Sequence, residues 1–227
     1  MHHLVTALPR PGDIQKPLSS TNAALIGLVV FGVVTLEELW RVLQHVYTIV
    51  HEGGHALVGS SLGHRVVSVT VKKNADGSSE GLTVTRGGGG AALIAFAGYV
   101  VPSAFGLIAA KLISLGHSVA VLWIAVVLLV LLLPVLSATL SFVSVILTAA
   151  LLVFVARYTT TGVETVVAYG LTWFLLLSGV RMVLAHGPGA GDAANLRKMT
   201  RLPQTLWSLL WLAGTVYALA LGGSLLV

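Results

Sequence analysis

Long apolar stretches, separated by short polar breaks, dominate the pattern of this chain. A helix that crosses a bilayer needs roughly 20 mostly apolar residues, and hydropathy together with break residues delimits seven such stretches. They lie at about 20–36, 39–62, 91–113, 118–136, 139–156, 163–186 and 204–226. Because Glu37 and Glu38 separate the first two only narrowly, the pattern predicts an all-α membrane protein, a polytopic bundle of six or seven transmembrane helices.

The segment between the second and third stretches has a different periodicity. Val67, Val69 and Val71 alternate with polar residues, a turn signal follows at 74–77, and 82–85 alternates again. Period-two alternation on both sides of a turn is typical of a β-hairpin. We therefore expect a small hairpin, as an insert at 64–90, between the two helices.

The domain organisation follows from the same pattern. Residues 1–19 contain three prolines and no uninterrupted apolar run, which predicts an N-terminal tail. Residues 20–227 then form a single transmembrane domain that includes the hairpin insert.

Composition places the chain in lipid and argues against a nucleic-acid partner. Hydrophobic residues make up 56% of the chain and charged residues only 9%, whereas about a quarter of a soluble domain is charged. The 13 Lys and Arg residues are scattered beside the apolar stretches, so they indicate topology rather than a basic binding surface.

Counting basic residues also predicts an orientation. With seven helices and the N-terminus in the cytoplasm, nine of the thirteen basic residues fall on the cytoplasmic side. These are Arg10, Lys16, Arg65, Lys72, Lys73, Arg86, Arg197, Lys198 and Arg201. Because basic residues concentrate on the cytoplasmic side, we expect the N-terminus and the end of the second helix, near residue 62, to face the cytoplasm.

The sequence His51-Glu52-Gly53-Gly54-His55 lies inside the second apolar stretch. Residues four apart share one helix face, so the two imidazoles can bind one metal ion while Glu52 stands beside it. Ionisable residues within a membrane helix are costly and generally functional. The motif therefore predicts a Zn²⁺ site with Glu52 as general base.

A catalytic zinc commonly has three protein ligands, and the chain has no cysteine to supply the third. Asp192 is the best remaining carboxylate, because the glycine-rich break around it returns to the same side as His55. Its alternative role is the N-cap of a helix that begins at Ala193, and the two roles can coexist. His186 is the runner-up ligand.

Several segments carry a resemblance to one family. The stretch His51-Glu52-Gly53-Gly54-His55-Ala56-Leu57 resembles the HExGHAL helix of site-2 protease relatives. Segments 81–86, 97–102 and 191–196 resemble their compact bacterial branch, the peptidase M50B-like proteins. The resemblance implies that His51, His55 and Asp192 bind zinc and that Glu52 is the general base. It also implies a bacterial plasma-membrane enzyme whose substrate is another membrane protein, for example a single-pass one.

Cleavage in a membrane requires water and a locally unwound substrate. The edge of the hairpin at Val67, Val69 and Val71 is a candidate site for binding an extended substrate segment. Two other functions stay open. The same His and Glu cluster can serve a polytopic transporter or metal-handling protein, and a catalytically silent relative can bind membrane helices. A donor for the reaction's oxyanion is not identified, although Asn195 lies close to Asp192 in sequence.

Overall fold

A computed structural model describes residues 13–186 and 191–227, without the side chain of His186. Most of the predicted tail, 1–12, and part of the glycine-rich break, 187–190, lie outside the described residues.

The described residues form eight α-helices and one β-hairpin. The helices are α1 (Ser20–Thr35), α2 (Glu37–Ser61), α3 (Ala91–Ser114), α4 (Ser118–Leu132), α5 (Thr139–Tyr158), α6 (Thr161–His186), α7 (Asp192–Thr200) and α8 (Gln204–Leu226), with a 3₁₀ turn, Leu133–Val135, at the end of α4. Each predicted stretch matches a helix to within two residues at either end, when the 3₁₀ turn is counted with α4. The predicted polytopic α-helical bundle with a hairpin is confirmed.

The described helices allow five or six membrane spans. By length and composition, five described helices can cross a membrane: α3, α4 with its 3₁₀ turn, α5, α6 and α8. Helices α1 and α2 meet at a bend of 97° and qualify only as a pair, which gives up to six spans. The 16 residues of α1 reach about 24 Å at 1.5 Å per residue, short of a hydrocarbon core about 30 Å thick.

The direction of α1 is fixed by its contacts with α6. The backbone N–H of Leu18 donates to the hydroxyl of Tyr169 at 3.2 Å, and the indole of Trp173 donates to the carbonyl of Ala23 at 3.1 Å. Further along, Arg181 donates to the carbonyl of Val34. Residue numbers rise together on both helices, so α1 and α6 run in the same direction.

Both ends of the described chain meet at one end of the bundle. The hydroxyl of Ser20 donates to the carbonyl of Val227, and the N–H of Gln15 donates to the carbonyl of Gly116 at 2.7 Å, in the turn between α3 and α4. Chain ends on one side require an even number of spans. This supports six spans and a single broken span formed by α1 and α2.

The described N-terminal segment and Asp192 lie at opposite ends of α6, whereas the sequence predicted one side for the N-terminus and the end of the second helix. The described N-terminal segment lies beside the start of α6, whereas Asp192 follows the end of this 26-residue helix. A helix of that length spans about 39 Å. The difference arises because the prediction counts α1 and α2 as two crossings, and one crossing fewer places the N-terminal segment on the opposite side.

The hairpin consists of β1 (Arg65–Lys73) and β2 (Ser79–Arg86), paired antiparallel with an irregularity between Val66 and Ser68. It packs along α2. The two-stranded sheet thus confirms the period-two prediction for this insert.

The outer edge of β1 is already occupied, so the predicted substrate edge at Val67, Val69 and Val71 is not free. Val69 forms a parallel bridge with Leu136, and its carbonyl accepts from the N–H of Ser137 at 2.9 Å. The hydroxyl of Ser141 accepts from the N–H of Val71 at 3.1 Å and donates to its carbonyl at 2.8 Å.

The burial of the three valines agrees with this correction. Val69 and Val71 are fully buried, and only Val67, at the irregular position, is exposed. Among the described residues, the open edge of the sheet is on β2, which pairs with β1 alone.

The register determines which groups of β2 face that edge. Val69 is opposite Thr83, and Val71 is opposite Gly81. Because the backbones of both valines point away from β2, these are non-hydrogen-bonded pairs, and Thr83 and Gly81 turn their own N–H and C=O groups outward. The open edge of β2 therefore presents backbone donors and acceptors at positions 81 and 83.

We expect cysteines placed at opposite ends of the bundle to react from opposite sides of the membrane. The chain has no cysteine of its own, so Lys16→Cys and Lys198→Cys can be labelled singly in sealed vesicles with a membrane-impermeant maleimide. Lys111→Cys serves as a control that should label from the same side as Lys16→Cys. Labelling of positions 16 and 198 from one side would contradict the six-span topology.

Candidate active site

Helix α2 brings three ionisable side chains of the motif together. The ligand atoms of His51, Glu52 and His55 lie within 4.8 Å of one another, and all three residues are buried. This follows from helical geometry, since residues one and four positions apart lie within about one turn. The arrangement is a group that can hold a metal ion.

Asp192 completes the cluster from a different part of the chain. Its Oδ2 atom lies 3.1 Å from Nε2 of His51 and 3.2 Å from Nε2 of His55, and the two Nε2 atoms are 3.2 Å apart. Ligands about 2.05 Å from a tetrahedral ion lie about 3.3 Å from each other. The three atoms thus have the spacing that one tetrahedral metal ion requires.

Asp192 is not the N-cap that the alternative interpretation assigned to it. It is the first residue of α7; the cap position is Gly191, and no side-chain cap bond is formed there. Burial by itself raises the pKa of Asp192, but its contacts with His51 and His55 outweigh burial and hold the pKa well below its usual range. An ionised carboxylate is the form that binds a metal ion.

Helix α3 forms the wall behind the two histidines. A Cβ atom added to Gly98 would lie 2.5 Å from Nε2 of both His51 and His55, so only the hydrogen of glycine fits there. One turn earlier on α3, the carbonyl of Ile94 lies 2.6 Å from Nδ1 of His55. This outer hydrogen bond fixes the ring so that Nε2 faces the cluster.

Strand β2 positions the side chain of Glu52, whereas α3 packs against the two histidines. The hydroxyl of Thr83 donates to Oε2 of Glu52 at 2.6 Å and lies 3.1 Å from the Glu52 carbonyl. A Cβ atom at Gly81 would collide with the Glu52 carboxylate. Glu52 therefore lies directly beneath the open edge of β2.

Sequence reasoning missed Gly98, Gly81 and Thr83. Each acts through a contact between elements that are distant in the chain, and one sequence without tertiary information does not predict such contacts. All three lie in segments 81–86 and 97–102, which carry the family resemblance, but that resemblance gave them no role.

Two of the other described histidines, His64 and His117, lie apart from the cluster. His64 lies 2.9 Å from the carbonyl of Gly89, and His117 precedes α4 at the other end of the bundle. His45 is buried in α2, and Asn195 is exposed on α7. The side chain of His186, the runner-up ligand, lies outside the described residues.

A family model described as Peptidase M50B-like matches residues 24–222. The chain belongs to the Peptidase M50B-like family. The match covers the whole of α2, α3 and α7, so this M50B-like chain contains the clustered residues within the matched region. No curated protein and no solved structure matches the chain. The family resemblance predicted from the motif is confirmed, and it identifies the chain with a family of metallopeptidases.

We expect Gly98→Ala to abolish metal binding in this M50B-like protein while leaving the fold intact. The new methyl group would occupy the space beside both Nε2 atoms. Metal content of the purified protein, with thermal stability measured in parallel, checks the prediction. Gly170→Ala is the matched control, because nothing lies within 4 Å of a Cβ atom there; full metal content in Gly98→Ala would contradict the assigned site.

Proposed function

We propose that this protein is an intramembrane zinc endopeptidase that hydrolyses peptide bonds of other membrane proteins. His51, His55 and Asp192 are the proposed ligands and Glu52 the general base. The observation that carries the proposal is the convergence of three ligand atoms within 3.2 Å of each other beside Glu52. Membership in a metallopeptidase family supports it.

The chemistry of the donor set suits zinc. Two imidazole nitrogens and a carboxylate oxygen are ligands that zinc accepts, and three protein ligands leave one position open for catalysis. A zinc ion held there supplies Lewis-acid chemistry, which polarises a carbonyl and makes water more acidic.

Glu52 accepts the proton of the attacking water and passes it to the leaving amine. The hydrogen bond from Thr83 to Oε2 orients the carboxylate. Because Oε1 is not engaged in that bond, it is the oxygen available for the proton.

The open edge of β2 is the proposed binding surface for the substrate backbone. A helical substrate hides its carbonyls in internal hydrogen bonds, so the cleaved segment has to be extended. An extended segment can add to a sheet edge through backbone hydrogen bonds, and the outward groups of Gly81 and Thr83 lie next to Glu52. This replaces the edge of β1 as the candidate surface.

The distribution of basic residues supports a site that faces the cytoplasm of a bacterial cell. Arg197, Lys198 and Arg201 follow Asp192 closely, whereas Lys111 and Arg157 end α3 and α5 at the opposite end of the bundle. By the positive-inside rule the end with α7 is cytoplasmic. The described N-terminal segment then lies on the other side.

Two other functions make different predictions for Glu52. A transporter or metal-handling protein needs the ligands but no general base, and a silent relative that binds membrane helices needs neither. The hydrogen bond from Thr83 and the packing of Gly81 hold the Glu52 carboxylate at the cluster. This favours the peptidase over both.

We expect Glu52→Gln to retain zinc and to lose cleavage by about 10²–10⁴-fold, whereas Asp192→Ala and His51→Ala lose stoichiometric zinc. Detergent-purified protein, zinc analysis and a model single-pass substrate provide the measurements. Glu80→Gln, which alters an exposed carboxylate on the same strand, is the control and should behave as wild type. Wild-type protein without zinc, or Glu52→Gln with normal cleavage, would refute the proposal.

If the substrate binds along a strand edge, alternate residues of the substrate should form backbone hydrogen bonds with β2. Peptides that span the cleavage site, each N-methylated at one residue, remove one backbone donor at a time. We expect methylation at alternate residues to raise KM about 2- to 10-fold, the effect of a lost hydrogen bond, with little change at the residues between. A uniform response along the peptide would exclude pairing with β2.

A further inference from the structure

Hydrolysis of a peptide bond requires a hydrogen-bond donor for the oxyanion, and the residues near the cluster narrow the choice. Asn195 is exposed on α7. The hydroxyl of Thr83 is engaged with Glu52, and the outward N–H groups of β2 are assigned above to the substrate backbone.

Tyr99 is the residue next to Gly98 on α3, and its ring lies against the histidine cluster. The Tyr99 and His51 ring centroids are 4.6 Å apart with an interplanar angle of 86°. Gly98, the preceding residue on α3, faces the Nε2 atoms of both His51 and His55. Tyr99 therefore lies beside the space that the proposed ligands and the general base surround.

The ring of Tyr99 is held in place by its neighbours. It packs on Trp211 of α8 at a centroid distance of 4.4 Å, and the indole of Trp211 donates to the carbonyl of Phe96 at 3.1 Å. Tyr99 is only 8% exposed. A rigid, buried donor needs little reorganisation when charge develops.

We propose that the hydroxyl of Tyr99 donates a hydrogen bond to the oxyanion that forms on the scissile carbonyl. This inference rests on the proposed peptidase function. Tyr99 is then a catalytic residue that contacts the reacting oxygen, on a different element from Glu52.

The step balances with these groups alone. The oxygen of water bonds to the carbonyl carbon, one water proton passes to Glu52, and the carbonyl π pair moves onto the carbonyl oxygen, where Tyr99 stabilises it. When that pair returns to carbon, the C–N bond breaks and the proton on Glu52 passes to the amine. Tyr99 keeps its own proton throughout.

Replacing Tyr99 with Phe tests the hydroxyl while keeping the ring that packs on His51 and Trp211. We expect kcat to fall by about 10²–10³-fold, as for other oxyanion donors, with KM changed less than about threefold and zinc content unchanged. Tyr169→Phe is the matched control, since this buried tyrosine lies on α6 and its hydroxyl accepts from Leu18; its activity should stay near wild type.

A second measurement does not depend on turnover. A phosphonamidate peptide, which mimics the tetrahedral oxyanion, should bind Tyr99→Phe weaker than wild type by a factor similar to the loss of kcat. Glu52→Gln does not cleave the substrate, so substrate binding can be measured in it. The affinity should be the same whether or not Tyr99→Phe is also present.

Three results separate the possible failures. Near-normal kcat in Tyr99→Phe overturns the inference and leaves the peptidase function standing. Loss of zinc together with activity also overturns it, because Tyr99 would then position the metal ligands. Wild-type protein that neither binds zinc nor cleaves the substrate overturns the proposed function itself.

Discussion

The close approach of α2 and α3 is the contact on which the rest of the site depends. Gly54 of α2 meets the backbone carbonyl of Ala97, whose oxygen would lie 3.2 Å from a Cβ atom at position 54, and Gly98 of α3 meets both histidines of the motif. Glycine in a helix interior costs about 1 kcal/mol relative to alanine. Here the two glycines let the backbones of α2 and α3 approach closely. The carbonyl of Ile94 can therefore orient His55, and the Nε2 atoms of both histidines can face one point.

Other elements complete the site around this pair of helices. Strand β2 supplies the hydroxyl that holds Glu52, and the chain after α6 supplies Asp192. The same helix α6 fixes the bend before α2, because Arg181 donates to Val34 and to Glu37 and its guanidinium lies 4.6 Å from the centre of the Trp40 ring. Helix α6 thus sets the position of the motif helix, whereas α7, which carries the third proposed ligand, packs against α3 and α8.

Local patterns predicted the local features well, because hydropathy, period-two alternation and the spacing of His51 and His55 are properties of neighbouring residues. The features that these patterns did not predict are contacts between elements that are distant in the chain. A 16-residue apolar run does not reveal the 97° bend between α1 and α2, and alternation at Val69 does not reveal that Ser137 and Ser141 occupy the edge of β1. Asp192 was inferred by elimination. Gly98 and Tyr99 lie in segment 97–102, which carries the family resemblance, but only the folded structure shows that they meet the motif.

The open edge of β2 has a consequence for the solvent inside the protein. Unpaired backbone N–H and C=O groups are not tolerated against hydrocarbon, where each costs several kcal/mol, and persist at membrane depth only beside a water-filled space. The groups of Gly81 and Thr83 that face away from β1 therefore require hydration while no partner strand is present. In the proposed mechanism water is the second reactant, and a substrate strand that binds this edge has to displace it.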